Sequence, residues 1–276
     1  MTSPLLTKEG MGEVSRKRVA SRWSYYFLSG HEDIVEMRRR SIVPTDLKLA
    51  KAQRVMKYVS WLPFLRAIFI SSSVATETAH AESDIDFFVV TAPGRIWLVR
   101  LALNVILRLF GLRIYGKKRK DRACLCFFVD TDHLDLSPWR IAPDDIHFIY
   151  WLHQMIPLYD PENKYEKFLM ANQWTGQYVP YIRNEYFSSN LLRKVKKNRF
   201  KKITEKIVLQ RLGDFLEQLA QKIQWLKLPS SLKEKSVRED KEVVIAPGVL
   251  KFHDHDTRRE IKERWLRQVE DFFKEK

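Results

Sequence analysis

FISSSVATETAHAESDIDFFVV, residues 69–90, contains the ends of two runs suited to buried strands, separated by a stretch that is not. The first run, RAIFI, closes on Ser71, Ser72 and Ser73, and the second, DFFVVT, opens on the triplet Asp84-Ile85-Asp86. β-Branched and aromatic residues in short runs bounded by small polar residues read as strands. Residues two apart in a strand share a face, so Asp84 and Asp86 project together, roughly 6 to 7 Å apart along the backbone, while Ile85 turns into the core. A carboxylate pair of this kind suits Mg²⁺ or Mn²⁺, hard cations that take oxygen ligands and pair readily with the oxygens of a triphosphate. The serines supply the complementary chemistry. A tight turn of small residues offers hydroxyls and backbone N–H groups to phosphate, and Ser72 and Ser73 are the best placed.

Outward from this stretch, Pro93 and Gly94 mark a turn, Ile96 to Leu112 has the spacing of an amphipathic helix, and ACLCFFVD, residues 123–130, is a third strand. Before residue 61 the spacing is helical, with Leu47, Ala50, Val55, Met56 and Val59 on one stripe after Pro44. Beyond Pro143 it is helical and aromatic. A long helix is expected from Ile203 to Leu226, its Ile203, Ile207, Leu212, Phe215, Leu216, Leu219, Ile223 and Leu226 facing a core. VVIA, residues 243–246, is a short strand, and the last helix begins near Thr257. These segments predict an α+β protein in three parts: a helical N-terminal extension (1–60), a core with a small mixed β-sheet (61–150) and a mostly helical C-terminal region (151–276).

At these residues the chain resembles the DNA polymerase β type nucleotidyltransferase superfamily, whose pattern is an apolar strand, Gly followed by Gly or Ser, about ten residues, and Asp-x-Asp opening a strand. Ser72 and Ser73 stand at the Gly-Ser position, and Ser83, Asp84, Ile85 and Asp86 match the Ser-Asp-x-Asp element. The wider context, through LKFHDHDTRRE, is similar to a group of uncharacterised bacterial nucleotidyltransferase-domain proteins. The resemblance implies transfer of an NMP from an NTP to a hydroxyl acceptor. Asp84 and Asp86 would hold the metal, and Ser72 and Ser73 would bind the nucleotide phosphates. It also implies a third catalytic carboxylate on a neighbouring strand; the mid-strand position there is Cys126, which leaves Asp130 as the candidate. The alternative is a degenerate relative that binds nucleotide or nucleic acid without catalysis.

Composition limits the partners. In 276 residues, 49 Lys and Arg against 34 Asp and Glu leave a net charge of +15, which favours RNA or another polyanionic acceptor over a cationic one. LLRKVKKNRFKK, residues 191–202, concentrates that charge, and Lys117 to Lys120 form a second basic turn. With 45% apolar residues the chain is globular rather than disordered. The HDHD of residues 253–256 reads as the start of the last helix, and His80 as a loop residue. Cys124 and Cys126, the two cysteines, read as buried thiols of a reducing compartment rather than a metal or redox pair. No signal-like apolar core precedes residue 19, and Ile96–Tyr115 is interrupted by Arg100, Arg108 and Arg113. The expectation is a cytoplasmic protein with no transmembrane segment.

Overall fold

The computed structural model describes residues 19–141, 144–179, 201, 203–205, 211–238, 241–252 and 256–274. In chain order its elements are β1 (Val19–Arg22), β2 (Tyr25–Leu28), α1 (Asp33–Val59), β3 (Leu65–Ser71), α2 (Ser72–Ala75), β4 (Ile85–Thr91), α3 (Ile96–Leu109) and β5 (Ala123–Asp130). There follow α4 (Ile146–His153), β6 (Ile156–Tyr159), α5 (Lys164–Ala171), α6 (Arg211–Lys227), α7 (Ser230–Ser236), β7 (Val243–Ala246), β8 (Val249–Phe252) and α8 (Arg258–Lys274). This is an α+β fold built on a six-stranded mixed sheet of order β6-β3-β4-β5-β8-β7, in which β4 and β5 are parallel and the other neighbours antiparallel.

The three strands expected from the apolar runs form the centre of the sheet because both their faces are covered. On one face Ile70, Phe87, Val89 and Leu125 pack against Val55, Met56 and Val59 of α1 and Val99, Leu103 and Leu107 of α3. On the other, Phe69, Phe88, Phe127 and Val129 meet Phe148, Trp151 and Leu152 of α4 and Phe168 of α5. Phe127 stacks on Trp151 with ring centroids 5.4 Å apart. Each such side chain, fully buried, contributes about 1.5–3 kcal/mol. No helix among the described residues is long and apolar enough to cross a membrane.

Several expectations need correction. The region before residue 61 is not wholly helical, since β1 and β2 form a hairpin. Its two-residue turn is Trp23-Ser24, both at positive φ (50° and 65°), a conformation that Asn-Gly normally signals, so the sequence carried no turn cue. Leu47 is exposed, whereas Lys48 beside it is buried with its ammonium on Asp121 at 2.6 Å and on the Ala81 carbonyl at 3.1 Å. The sheet also extends past residue 150: β6 flanks β3, and β7 and β8 close the other edge. Finally, much of the predicted core stripe of α6 faces outward: Leu212, Phe215, Leu219 and Leu226 are exposed, while Leu216 and Ile223 are half-buried and Ile207 lies outside the described residues. Polar anchors set its rotation. Glu217 accepts the N–H groups of Trp97 and Leu98, both at 2.8 Å, capping α3, whose own Arg95 provides no side-chain cap. Gln224 donates to the Trp97 carbonyl at 2.8 Å. A carboxylate on the first-turn amides of a helix also gains from the helix dipole.

Candidate functional site

β3 runs antiparallel to β4 with Ser71 opposite Asp86, so the serine turn and the acidic triplet are neighbours at one end of the sheet. Beyond Ser71 the chain reverses through Ser72 at φ +57° into the single turn α2. The Ser72 carbonyl accepts the N–H of Thr76 at 3.0 Å, and the Ser73 carbonyl that of Thr78 at 2.9 Å. The loop is held against α1, where Arg38 donates to the Thr76 carbonyl and pairs with Glu77 at 2.7 Å, and Ser41 donates to the Glu77 carbonyl at 2.8 Å. His80 sits in this loop, its Nδ1 accepting the Glu82 N–H at 3.2 Å.

Ile85 is 1% exposed, and its burial on the α1 and α3 side turns Asp84 and Asp86 to the other face. Asp84 accepts from Arg119 at 2.9 Å, which raises the arginine's pKa, and Lys120 pairs with Glu82 at 2.7 Å. The second basic turn therefore closes over the acids. Asp86 lies between Ser71 on β3 and Cys124 on β5. Cys126 Sγ donates to Asp86 Oδ1 at 3.9 Å, and the donor atoms of Asp86, Cys124 and Cys126 all lie within 4.8 Å of one another. The Cys124 thiol is pushed well up by its hydrogen bond with Cys126, by burial, and by the carboxylates of Asp86 and Asp84. Asp86 therefore sits against the two thiols, and Asp84, bonded to Arg119, stands outside that group.

Asp130 is not part of this group. In the parallel β4–β5 register it pairs with Thr91, six residues beyond Cys124, about 20 Å away at ~3.3 Å per residue. It is buried at the opposite end of the strand, where it bonds His133 Nδ1 at 2.6 Å and accepts the Asp132 N–H at 3.0 Å. The reason is length: an eight-residue strand separates its ends by more than any side chain can span. The position beside Asp86 belongs to Cys126, and no carboxylate among the described residues takes its place there.

A cavity of about 430 Å³ adjoins the serine turn. Ser72, Ser73, Thr76 and Thr78 line one side, Phe127, Phe148 and Trp151 the apolar floor, and Lys251 and Arg258 the far wall. Those two cations are already engaged. Arg258, 4% exposed, holds Asp145 at 2.8 Å and Asp256 at 2.9 Å, and Lys251 meets Asp256 at 2.5 Å. Burial and the neighbouring Arg258 bring Lys251 down to about 8, and the two cations hold Asp256 down to about 2 against its burial. Asp256 thus anchors the start of α8, as read from the sequence. His253, Asp254 and His255 lie outside the described residues, as do Arg193 to Arg199 and Lys202 of the basic run. Lys201 of that run is no surface cation: it is buried, donates to the Leu65 carbonyl and to Tyr159 Oη (3.0 Å), and is lowered to about 8 by burial and Arg66. Thr76, Thr78, Lys251 and the α4 aromatics were missed as lining residues, because nothing local in the sequence ties α4 or β8 to the serine turn.

No protein-family model matches the chain, and a search of curated proteins finds no match.

Proposed function

We propose that the chain is a metal-dependent nucleotidyltransferase related to the DNA polymerase β type, transferring an NMP from an NTP to a hydroxyl acceptor. One observation carries this reading. The Ser71–Asp86 cross-strand pair sets a hydroxyl-bearing turn directly beside two carboxylates that share a face. The alternation of helix and strand from α1 to β5, with β3 and β4 antiparallel and β4 and β5 parallel, is consistent with that relationship.

The donors suit the ion. Asp84 and Asp86 offer hard oxygen ligands to Mg²⁺ or Mn²⁺, whereas the two thiols do not. When bound, the cation would supply the charge that offsets a triphosphate. Ser72 and Ser73 would hold phosphate oxygens through hydroxyls and backbone amides. Asp84 would release Arg119, leaving that guanidinium free to pair with phosphate. The cavity is within the ~300–1,000 Å³ range of small-molecule sites, and its aromatic floor beside a hydroxyl wall fits a nucleoside. A net charge of +15 supports RNA or another polyanion as acceptor, and the two free cysteines support a reducing, cytoplasmic setting.

A second reading has its own support. With Cys126 where a third carboxylate would stand, no acid beside Asp86 among the described residues receives the proton of an acceptor hydroxyl, which favours a nucleotide-binding protein without transfer. Radiolabelled NTPs with Mg²⁺ and mixed RNA acceptors distinguish the two. The enzyme incorporates label and loses all of it in Asp84→Asn and Asp86→Asn; the binder never incorporates. Thermal stability with each NTP, with and without Mg²⁺, tests both, since ligand at 100 times Kd adds about 2.7 kcal/mol. The absence of any Mg²⁺-dependent NTP shift would refute the nucleotide site itself.

A further inference from the structure

β5 carries one more residue than β4 across the site. Asp86 pairs with Cys124 but Phe88 with Phe127, so three steps on β5 are matched by two on β4. A bulge of this kind re-aims side chains. Here it presents Cys124 and Cys126 together to Asp86, on the face that carries Phe88 and Phe127. Among the described residues this is where three metal-ligating side chains converge.

We propose that Asp86, Cys124 and Cys126 form a binding site for a thiophilic divalent cation, Zn²⁺ foremost, with a fourth position open to water or a substrate oxygen. The spacing fits. Tetrahedral bonds of ~2.3 Å to sulfur and ~2.1 Å to carboxylate oxygen place an S···O pair about 3.6 Å apart and an S···S pair about 3.8 Å apart. Cys126 Sγ and Asp86 Oδ1 are already at 3.9 Å and all three ligand atoms lie within 4.8 Å of one another, so closing on an ion needs shifts of no more than about 1 Å. Two thiolates and one carboxylate are soft-to-borderline donors that select zinc-like ions over magnesium. Three protein ligands with one open position is the arrangement of catalytic rather than closed structural zinc.

The surroundings agree with an anionic ligand set. Two thiolates and a carboxylate around a divalent ion carry a net single negative charge, and both thiols release their protons to solvent on binding. Arg113 lies within electrostatic reach of Cys124, Cys126 and Asp84, Arg100 is within reach of Cys126, and Arg119 is bonded to Asp84. Positive charge near the site opposes a bare cation but stabilises this anionic complex. The inference shares Asp86 with the proposed reaction, and so deepens that reading: the position beside Asp86 takes a different ion from the one Asp84 and Asp86 hold.

Cobalt(II) substitution tests it. Metal-free full-length protein titrated with Co²⁺ is expected to develop a thiolate-to-cobalt charge-transfer band and intense tetrahedral visible bands. Stoichiometric Zn²⁺ should abolish both, and a large excess of Mg²⁺ neither. Since the chain has only two cysteines, the band in the unaltered protein assigns its own ligands. Cys124→Ser and Cys126→Ser should each weaken cobalt binding and about halve the band at saturation, the double variant should lose it, and Asp86→Asn should weaken cobalt binding while keeping it. Weak octahedral bands without charge transfer in the unaltered protein, or a band of undiminished intensity in either single cysteine variant, would overturn the proposal. The two readings fail separately. Mg²⁺-dependent NTP binding with no cobalt–thiolate band rejects the thiophilic site alone, and a band without Mg²⁺-dependent NTP binding rejects the nucleotide site alone.

Discussion

Ser72 occupies a backbone conformation that suits glycine, and replacing it tests how the turn is built. At φ +57° it lies in the left-handed region, where an L-residue is disfavoured by about 1–2 kcal/mol. Glycine removes that strain but costs about 0.5–1 kcal/mol in backbone entropy. The strain is the larger quantity, so Ser72→Gly is expected to stabilise the protein by about 0.5–1 kcal/mol. At about 2–4 °C per kcal/mol for a chain of this size, the midpoint should rise about 1–4 °C. Two controls isolate the cause. Ser72→Ala keeps the β-carbon and the strain, and should stay within about 0.5 kcal/mol of the parent. Ser73 has no positive φ, so Ser73→Gly adds only the entropic cost and should destabilise by about 0.5 kcal/mol. Calorimetry and urea denaturation on the three variants measure these signs. Because the hydroxyl removed is one of those assigned to phosphate, the glycine variant should bind Mg–ATP more weakly than the parent despite its greater stability. A destabilised Ser72→Gly, or equal effects at positions 72 and 73, would refute the reasoning.

Arg258→Ala strands the buried carboxylates of Asp145 and Asp256, and should cost about 3–5 kcal/mol in chemical denaturation. Asp256 is held at about 2 against 3.8 in the unfolded chain, so its stabilising contribution is complete above pH ~4 and disappears as pH falls through 2. Acid unfolding followed by circular dichroism should show that limb, and Arg258→Ala should move it to higher pH. Gly248, at φ +71°, has no room for a side chain: a β-carbon would sit 2.0 Å from His133 Nδ1 and 2.7 Å from Asp130 Oδ2. Gly248→Ala should therefore destabilise by about 1–3 kcal/mol, while leaving cobalt binding at Cys124 and Cys126 unchanged, since Asp130 belongs to the other end of β5.

The central strands and the face shared by Asp84 and Asp86 were legible because both follow from local rules. Short apolar runs seek burial on two sides, and a period of two places alternate residues together whatever surrounds them. The same rule showed that Cys124 and Cys126 share a face. It did not show what they share it with, because a β5 bulge and a parallel register to β4 are properties of pairing, not of either segment. Asp130 was misjudged for that reason: simple alternation puts it on the face of Cys124 and Cys126, but the extra β5 residue before Phe127 reverses the parity, and the register sets it opposite Thr91 at the far end. The Trp23-Ser24 hairpin and the outward apolar face of α6 were hidden in another way. Each depends on contacts with distant residues, such as Glu217 capping α3, that outweigh local propensity. Sequence alone thus determined which segments form the central strands and which side chains travel together along an unbulged stretch of each. Tertiary structure decided which strand ends meet, and therefore that thiols rather than a third carboxylate stand beside Asp86, because strand register is set by packing between segments far apart in the chain.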